Sequence, residues 1–484
     1  MRARLKRRSK LWRWDIRVDL RWVAGALAAA GYRGGDPGAG VIEGVSIDTR
    51  AGCEHRLFVA LKGENADGHD YLRDAVEKGA AALLVSSGRK ADAVKLAGGT
   101  VVFAVADTLA GLQALAAAYR GLVNPRVIAI TGSTGKTGTK DLVAAVIARR
   151  FSVHATPGNL NNHIGLPLTI LGMAGSEEIC VTELGANHKK EIKTLAGIAR
   201  PDIGVVTNIG PAHLEFFGSL KGVAAAKAEL LEALPSGGTA VLPADDEFIE
   251  FLKERTKART VTFGFSEDAD RRITNLEKRE GCGYRFRVGD IPLEVARHGK
   301  HHVLNATAAA VVGLELGVPP EEIASAILDA KVNPGRGALI DLGGILFFDD
   351  SYNSNPAALR AAVEAFLEIP AAGKRWLVLG DMLELGDMSE DLHREAGVFC
   401  GRAKVDGILT IGAETVELNR AAAGERKSPE HITHFLDVDA LARYLNDLVA
   451  PGDAVLVKGS RGMHMEKIID TVEKARGAAR RRVD

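Results

Sequence analysis

Val127-Ile128-Ala129-Ile130-Thr131-Gly132-Ser133-Thr134-Gly135-Lys136-Thr137 is an apolar run that stops at a glycine-rich loop bearing a lysine and a hydroxyl. The run reads as a strand buried on both faces, and residues 136–149 beyond the loop read as a helix. A loop in that position is where phosphates bind. Glycines let the backbone turn and aim successive N–H groups at an anion, and the helix N-terminus adds its positive end. Lys136 contributes a point charge and Thr137 can offer its hydroxyl to Mg²⁺. The general spacing wants another glycine five residues before Gly135, where Ile130 stands, so the loop is a shortened form. Gly132, Ser133, Thr134, Gly135, Lys136 and Thr137 are the candidate phosphate-binding residues; a turn that binds nothing is the alternative.

Outward from the loop, apolar strands at residues 179–183, 203–208 and 239–242 alternate with helical segments at 189–199 and 219–234, the pattern of a parallel α/β domain. A second series, with strands at 345–349, 376–379, 407–411 and 454–457, follows the turn cluster Asn333-Pro334-Gly335. Residues 271–294, charged and rich in β-formers around Gly281 and Gly283, read as a small antiparallel insertion. On the other side, Asn124-Pro125 breaks a helix ending near residue 119, and residues 20–30 read as a short amphipathic helix. The expected fold class is α/β with three domains: a small mixed α/β N-terminal domain at 1–124, a central parallel-sheet P-loop ATPase domain at 125–334 and a C-terminal Rossmann-like α/β domain at 335–484.

Composition agrees. At roughly 150 residues per domain, 484 residues suggest about three. With 46% hydrophobic and 26% charged residues, disordered and fibrous classes are excluded. Sixty-two basic residues balance 62 acidic ones, so no global field gathers nucleic acid or anionic lipid, and any polyanion site must be local. Cys53, Cys180, Cys282 and Cys400 lie far apart without a Cys-x-x-Cys pair, which fits a reducing, cytoplasmic setting. No apolar run approaches the roughly 18 residues of a membrane span. The basic start, residues 1–21, is followed by a stretch at 23–31 that imitates a signal peptide, but Asp15 and Asp19 interrupt it; the tip at 2–10 reads as a solvated terminus.

A Mg²⁺-nucleotide site needs further ligands, best placed at the ends of neighbouring parallel strands. Glu183 closes the run 179–183, and an acid ending an apolar strand is costly to place without a partner. His213, in Gly210-Pro211-Ala212-His213-Leu214-Glu215, follows the next strand. A surface carboxylate and a structural histidine are the alternatives.

At this point the sequence resembles the Mur ligases, the ATP-dependent amide-forming family of bacterial cell-wall synthesis. The loop, Glu183, His213 and Gly222-Val223-Ala224-Ala225-Ala226-Lys227-Ala228-Glu229 occur in that family's order and spacing, as do Asn305, Pro334-Gly335-Arg336, Asp349-Asp350-Ser351-Tyr352-Asn353-Ser354-Asn355-Pro356 and Lys458-Gly459-Ser460-Arg461-Gly462. Asn159-Leu160-Asn161-Asn162-His163-Ile164-Gly165, Glu183-Leu184-Gly185-Ala186-Asn187-His188 and Gly380-Asp381-Met382-Leu383-Glu384-Leu385-Gly386 are similar to the branch that adds D-alanyl-D-alanine to UDP-N-acetylmuramoyl-tripeptide.

The resemblance implies an acyl-phosphate mechanism with ATP and two Mg²⁺ ions. Lys136 and the loop amides would hold phosphates, Thr137 and Glu183 one Mg²⁺, and His213 the second. Lys227 would be carbamylated by CO₂ into a metal ligand; without the resemblance it reads as a solvent-facing helix residue. His301, Asn305 and Asp350 would meet the nucleoside, although His301-His302 stands where the family has His-Asn, which leaves open which histidine faces adenine. Arg336 would reach the γ-phosphate, with an ordinary hinge arginine as the alternative. Ser46, Asp48, Arg50, Lys62 and Gly63, within strings similar to the family's uridine-nucleotide domain, would bind the UDP end. Asn159, Asn162, Asn353 and Asn355 would offer hydrogen bonds to the dipeptide. A monomer that binds no nucleic acid is expected. The branch adding a single diamino acid carries Asp-Asn-Pro-Arg, which is missing here: Ser389-Glu390-Asp391-Leu392-His393 follows the Gly380 loop instead. Folylpolyglutamate synthase lacks the first-domain strings. A regulatory P-loop ATPase would hydrolyse ATP without forming an amide, and an inactive scaffold would lack one of Lys136, Glu183, His213 and Lys227.

Overall fold

The apolar run forms strand Arg126–Thr131, and its Ile128, Ala129 and Ile130 are fully buried, as a strand covered on both faces requires. Burying each isoleucine contributes about 2–3 kcal/mol. This computed structural model describes residues 17–331 and 333–483, so the basic tip at 2–10 lies outside the described residues. Within the described residues the chain forms sheets of four, nine and seven strands and a two-stranded ribbon, in three α/β domains.

In the nine-stranded sheet, Arg126–Thr131 lies between Ile179–Glu183 and Ile203–Val206, parallel to both. Beyond Ile203–Val206 come Thr239–Pro243 and Arg259–Gly264, also parallel; beyond Ile179–Glu183 comes the edge strand Val153–Ala155. The chain moves to one side of Arg126–Thr131 and then crosses to the other, so the loops after these strands open a crevice where strand order reverses, the usual ligand position in such sheets. The charged stretch expected as an antiparallel insertion forms Arg271–Lys278, Tyr284–Val288 and Ile291–Val295, which extend the same sheet.

The first domain has a parallel sheet of Val45–Ser46, Leu57–Val59, Ala82–Ser86 and Val101–Val105. Its helix Thr108–Val123 is capped by the Asp107 carboxylate, which accepts from Leu109 N–H, and ends at Asn124 in the left-handed conformation with the Arg120 guanidinium on the Asn124 amide oxygen at 2.8 Å. The helix thus runs past residue 119 to Val123, with only its cap Asn124 before Pro125. The C-terminal sheet is parallel from His431–Phe435 through Gly407–Ile411, Arg375–Gly380 and Ala454–Lys458 to Ile345–Asp350, and the strands Ala338–Leu342 and Arg481–Arg482 add an antiparallel edge.

At the junction of the last two domains, Gly335 N–H donates to the buried Asp349 carboxylate at 3.1 Å, and Tyr352 N–H donates to the Gly335 carbonyl at 3.0 Å. Burial pushes the Asp349 carboxyl up from its usual range, while hydrogen bonds from Ser351 and Gly335 oppose the shift. Among the described residues no helix is long and apolar enough to cross a membrane.

Candidate active site

The loop after Arg126–Thr131 is stapled to the strand beside it. Ser133 N–H donates to the Asn208 carbonyl (3.0 Å), Thr134 N–H to Asn208 Oδ1 (2.9 Å), and the Asn208 amide to Thr134 Oγ1 (2.6 Å). Gly132 (φ 146) and Gly135 (φ 79) occupy backbone conformations closed to most side chains, and a Cβ at Gly132 would come within 1.9 Å of Thr207 Oγ1. Helix Lys136–Ile147 starts directly behind, its N-terminus at the crevice. Lys136 Nζ folds back on the loop and donates to the carbonyls of Gly132 (2.7 Å) and Ser133 (3.1 Å). Burial lowers its pKa, with Glu183 opposing.

Glu183 is 1% exposed at the end of its strand. Asn161 donates to Oε1 at 2.7 Å, whereas Oε2 is buried without a partner. A desolvated carboxylate oxygen with no donor is costly, and a cation is what it fits. His213 holds left-handed backbone (φ 52) just before the short helix Leu214–Phe217, and its Nδ1 hydrogen-bonds Oε2 of Glu384 from the C-terminal domain. That contact holds the Glu384 carboxyl below its usual range. Lys227, on helix Leu220–Glu232, is 1% exposed; its ammonium lies 5.6 Å from the Phe217 ring centroid. Burial first, then repulsion from Lys136, pushes its pKa down to about 7 against the pull of Glu191 and Glu229.

Of these groups, Ser133 to Thr137, Glu183 and His213, together with Arg336 and Asp350, line a cavity of about 710 Å³ walled from all three domains. Among the described residues, no three His, Cys, Asp or Glu side chains converge on a metal-sized point. The donor set, a carboxylate oxygen, a hydroxyl and an imidazole, suits a hard divalent cation that takes its other ligands from phosphate and water.

Residues 41–120 match the Mur ligase family catalytic domain, 130–313 the Mur ligase middle domain and 335–461 the Mur ligase glutamate ligase domain. A Bacillus subtilis protein named UDP-N-acetylmuramoyl-tripeptide--D-alanyl-D-alanine ligase is 37% identical over 440 residues, covering 90% of this chain and 94% of that protein. The chain belongs to the Mur ligase family. An Escherichia coli protein of the same name is also 37% identical, over 90% of this chain and 94% of its own length. Among solved structures, MurF from Acinetobacter baumannii superposes with a TM-score of 0.84 at 30% identity, over 95% of this chain and all of that one. MurF ligase from Thermotoga maritima, in complex with ADP, gives 0.77 at 30% identity, over 90% of this chain and 97% of that one.

The remaining predicted residues of this Mur ligase divide into those at the cavity and those away from it. His301 and His302 both line it, their ring centroids 4.1 Å apart, and burial lowers both pKa values, His302 well below its usual one. Their helix spans His301–Glu315, which places Asn305 in its second turn, against Gly135. Arg336 stacks on the Tyr352 ring at 4.0 Å, and Asp350 pairs with the buried Lys458 at 2.5 Å. Asn159, Asn162, Asn353 and Asn355 line the cavity, but Asn162 and Asn355 spend their carbonyl oxygens on the N–H groups of Gly165 and Ala358.

Away from the cavity wall lie Gly132, Lys227 and the first-domain set. Ser46 donates to the Asp48 carbonyl, Asp48 holds the Arg50 guanidinium, and Gly63 N–H turns onto the Ala66 carbonyl at 2.9 Å; among the described residues of the first domain, Glu64 lines the cavity. Sequence reasoning missed Asn208, Glu384 and the Asn161 contact to Glu183. Each sits in or beside a motif quoted above, yet its partner lies on another strand or domain.

Proposed function

We propose that this Mur ligase joins D-alanyl-D-alanine to UDP-N-acetylmuramoyl-tripeptide with cleavage of ATP to ADP and phosphate, in cytoplasmic peptidoglycan precursor synthesis, as a monomer. Full-length similarity to ligases of that name carries the substrate assignment. The orphaned Glu183 oxygen beside an anchored phosphate loop supports the ATP chemistry. Residues 1–124 would take the UDP end of the acceptor, 125–334 ATP, and 335–484 the dipeptide.

The acceptor carboxylate takes the γ-phosphoryl group while ADP leaves. The dipeptide amine then forms the C–N bond as phosphate departs and the amine proton is lost. The chain's part is positioning and charge stabilisation. Loop amides and Lys136 hold the phosphates, the Arg336 guanidinium meets γ-phosphate oxygens, and His301, Asn305 and Asp350 seat the nucleoside. Thr137, Glu183, His213 and a carbamylated Lys227 would hold two Mg²⁺ ions, which when bound neutralise charge on the phosphoryl and carboxyl oxygens. Ser46, Asp48, Arg50, Lys62 and Gly63 would receive the UDP group near the first-domain turn, and Asn159, Asn162, Asn353 and Asn355 the dipeptide.

Phosphate release, measured across several UDP-muramoyl acceptors with single amino acids and dipeptides, tests this reading. Release should require both the tripeptide acceptor and D-alanyl-D-alanine. Activity with a single amino acid and none with the dipeptide would overturn the branch assignment, and release without either would favour a regulatory ATPase.

Closure about the junction is a second expectation. Gly335 has φ 74, and a Cβ there meets the Tyr352 Cβ at 3.2 Å. Gly335→Val therefore strains the hinge by roughly 1–3 kcal/mol. Turnover should fall about tenfold or more while ATP affinity, read by calorimetry, changes less than about threefold. Equal losses in both would place Gly335 in the nucleotide site instead.

A further inference from the structure

Two residues facing each other across the boundary between the central and C-terminal domains both hold left-handed backbone: His213 at φ 52, and Glu384 at φ 63 in the loop after strand Arg375–Gly380. That conformation is unfavourable for a residue with a side chain and persists where the surroundings over-determine it. Here the surroundings are the two loops themselves and the turn after strand Ala454–Lys458. Glu215 N–H donates to the Glu384 carbonyl at 3.3 Å, Leu383 N–H donates to Ser460 Oγ at 2.8 Å, and a side chain on Gly386 would meet Glu215 Cα at 2.9 Å. The two strained residues are thereby brought to a side-chain hydrogen bond, His213 Nδ1 to Glu384 Oε2. Both line the cavity, and their side chains remain 23% and 39% exposed, so the pair is not buried to fill a core.

An ionised carboxylate only accepts hydrogen bonds, so in the neutral ring this contact places the proton on Nδ1 and leaves the Nε2 lone pair free. A histidine can ligate a cation only through such a lone pair, and the partner of its other nitrogen sets both tautomer and ring direction. The carboxylate that does this belongs to the other domain and reaches His213 only while the loop at 380–386 sits on the His213 turn. We propose that Glu384 is a positioning residue that couples closure of the C-terminal domain to the orientation of His213. The proposal rests on the ligase reading. Its chemical consequence is order: the histidine is set for phosphoryl transfer once the amine-bearing domain has docked, when a reactive acyl phosphate would be shielded from water.

The full-length wild type, Glu384→Gln and Glu384→Ala are compared by kcat, by KM for each of the three substrates, and by the ring ¹⁵N spectrum of histidine-labelled protein without ligands, with His213→Asn to assign the signal. Gln can donate its amide N–H to Nδ1 as well as accept from it, so it no longer fixes the tautomer and should lower kcat by about tenfold or more although it keeps the side chain's shape. Ala should lower kcat between about 10- and 100-fold, the range for loss of a ligand's supporting partner, with the three KM values within about threefold. The His213 signal should report a bare Nε2 in wild type, and a tautomer mixture in Gln and Ala. An Ala variant with normal kinetics, or an unchanged His213 signal, would overturn the proposal. So would a rise in dipeptide KM alone in both variants, because Glu384 would then grip the dipeptide ammonium. If wild type makes no amide, the ligase reading fails, and the ligand-free spectra still decide whether Glu384 sets the His213 ring.

Discussion

Lys136→Met should lower phosphate release at saturating substrates by about a hundred- to a thousandfold, the cost of removing one preorganised charge donor from a developing anion. The ammonium is already at the loop: its hydrogen bonds to the Gly132 and Ser133 carbonyls hold it at the N-terminus of helix Lys136–Ile147 before any phosphate arrives. An incoming phosphate therefore exchanges partners on a cation that needs no reorganisation. Methionine matches the stem length and removes the charge together with its two hydrogen bonds to the loop carbonyls, while the loop, still held by Asn208 and Thr207, should keep its shape. Burial opposes the Lys136 charge, so removing it should not lower the melting temperature. Lys136→Arg should also fail, because a planar fork does not fit a site built for a compact ammonium. Turnover of Lys136→Met within tenfold of wild type would remove the loop lysine from the mechanism.

What the sequence made legible here is what depends on near neighbours. The phosphate loop is one contiguous string between a strand and a helix, and Glu183 is visible because a carboxylate ends an otherwise apolar run. Among the strands that went unread, Val153–Ala155 and Arg481–Arg482 are edge strands of three and two residues, too few to carry a periodicity, whereas Arg259–Gly264 and Ala82–Ser86 are longer and lie inside their sheets. Asn208 is a different case. Its role as a staple follows from strand order, which puts Ile203–Val206 beside Arg126–Thr131 although about 75 residues separate them. Glu384 needs a still longer step, the docking of one domain on another. The first-domain residues show the reverse: Asp48 and Arg50 satisfy each other within their own turn.

Lys227 is where sequence and structure disagree most, and the disagreement makes a prediction. A lysine in an Ala-rich helix reads as a solvent-facing residue, yet helix Leu220–Glu232 buries Val223, Ala224, Ala226, Lys227, Leu230 and Leu231. With its folded pKa at about 7 against an ordinary value of 10.5, the amine is largely neutral under mildly alkaline conditions. A neutral amine can attack CO₂ to give a carbamate and release one proton, which replaces a penalised cation by an anion that Lys136 and Mg²⁺ attract. Lys227→Ala should lose about a hundredfold or more of turnover and regain part of it with formate or acetate. Wild type should lose activity in CO₂-free buffer, and labelled bicarbonate should give a ¹³C signal that the variant lacks. If short acids restore nothing and no signal appears, the carbamate is wrong. The sign of the pH effect is a separate check in CO₂-free buffer. Below about 7 both folded and unfolded chains hold the proton and the burial cost is full. Between about 7 and 10.5 the unfolded chain binds more protons, so folding stability from this group rises with pH. Lys227→Met, which carries no charge to bury, should thus be more stable than wild type near pH 6, and the difference should shrink towards pH 9. A constant difference in denaturant midpoints across that range would mean that the Lys227 proton is bound as tightly folded as unfolded.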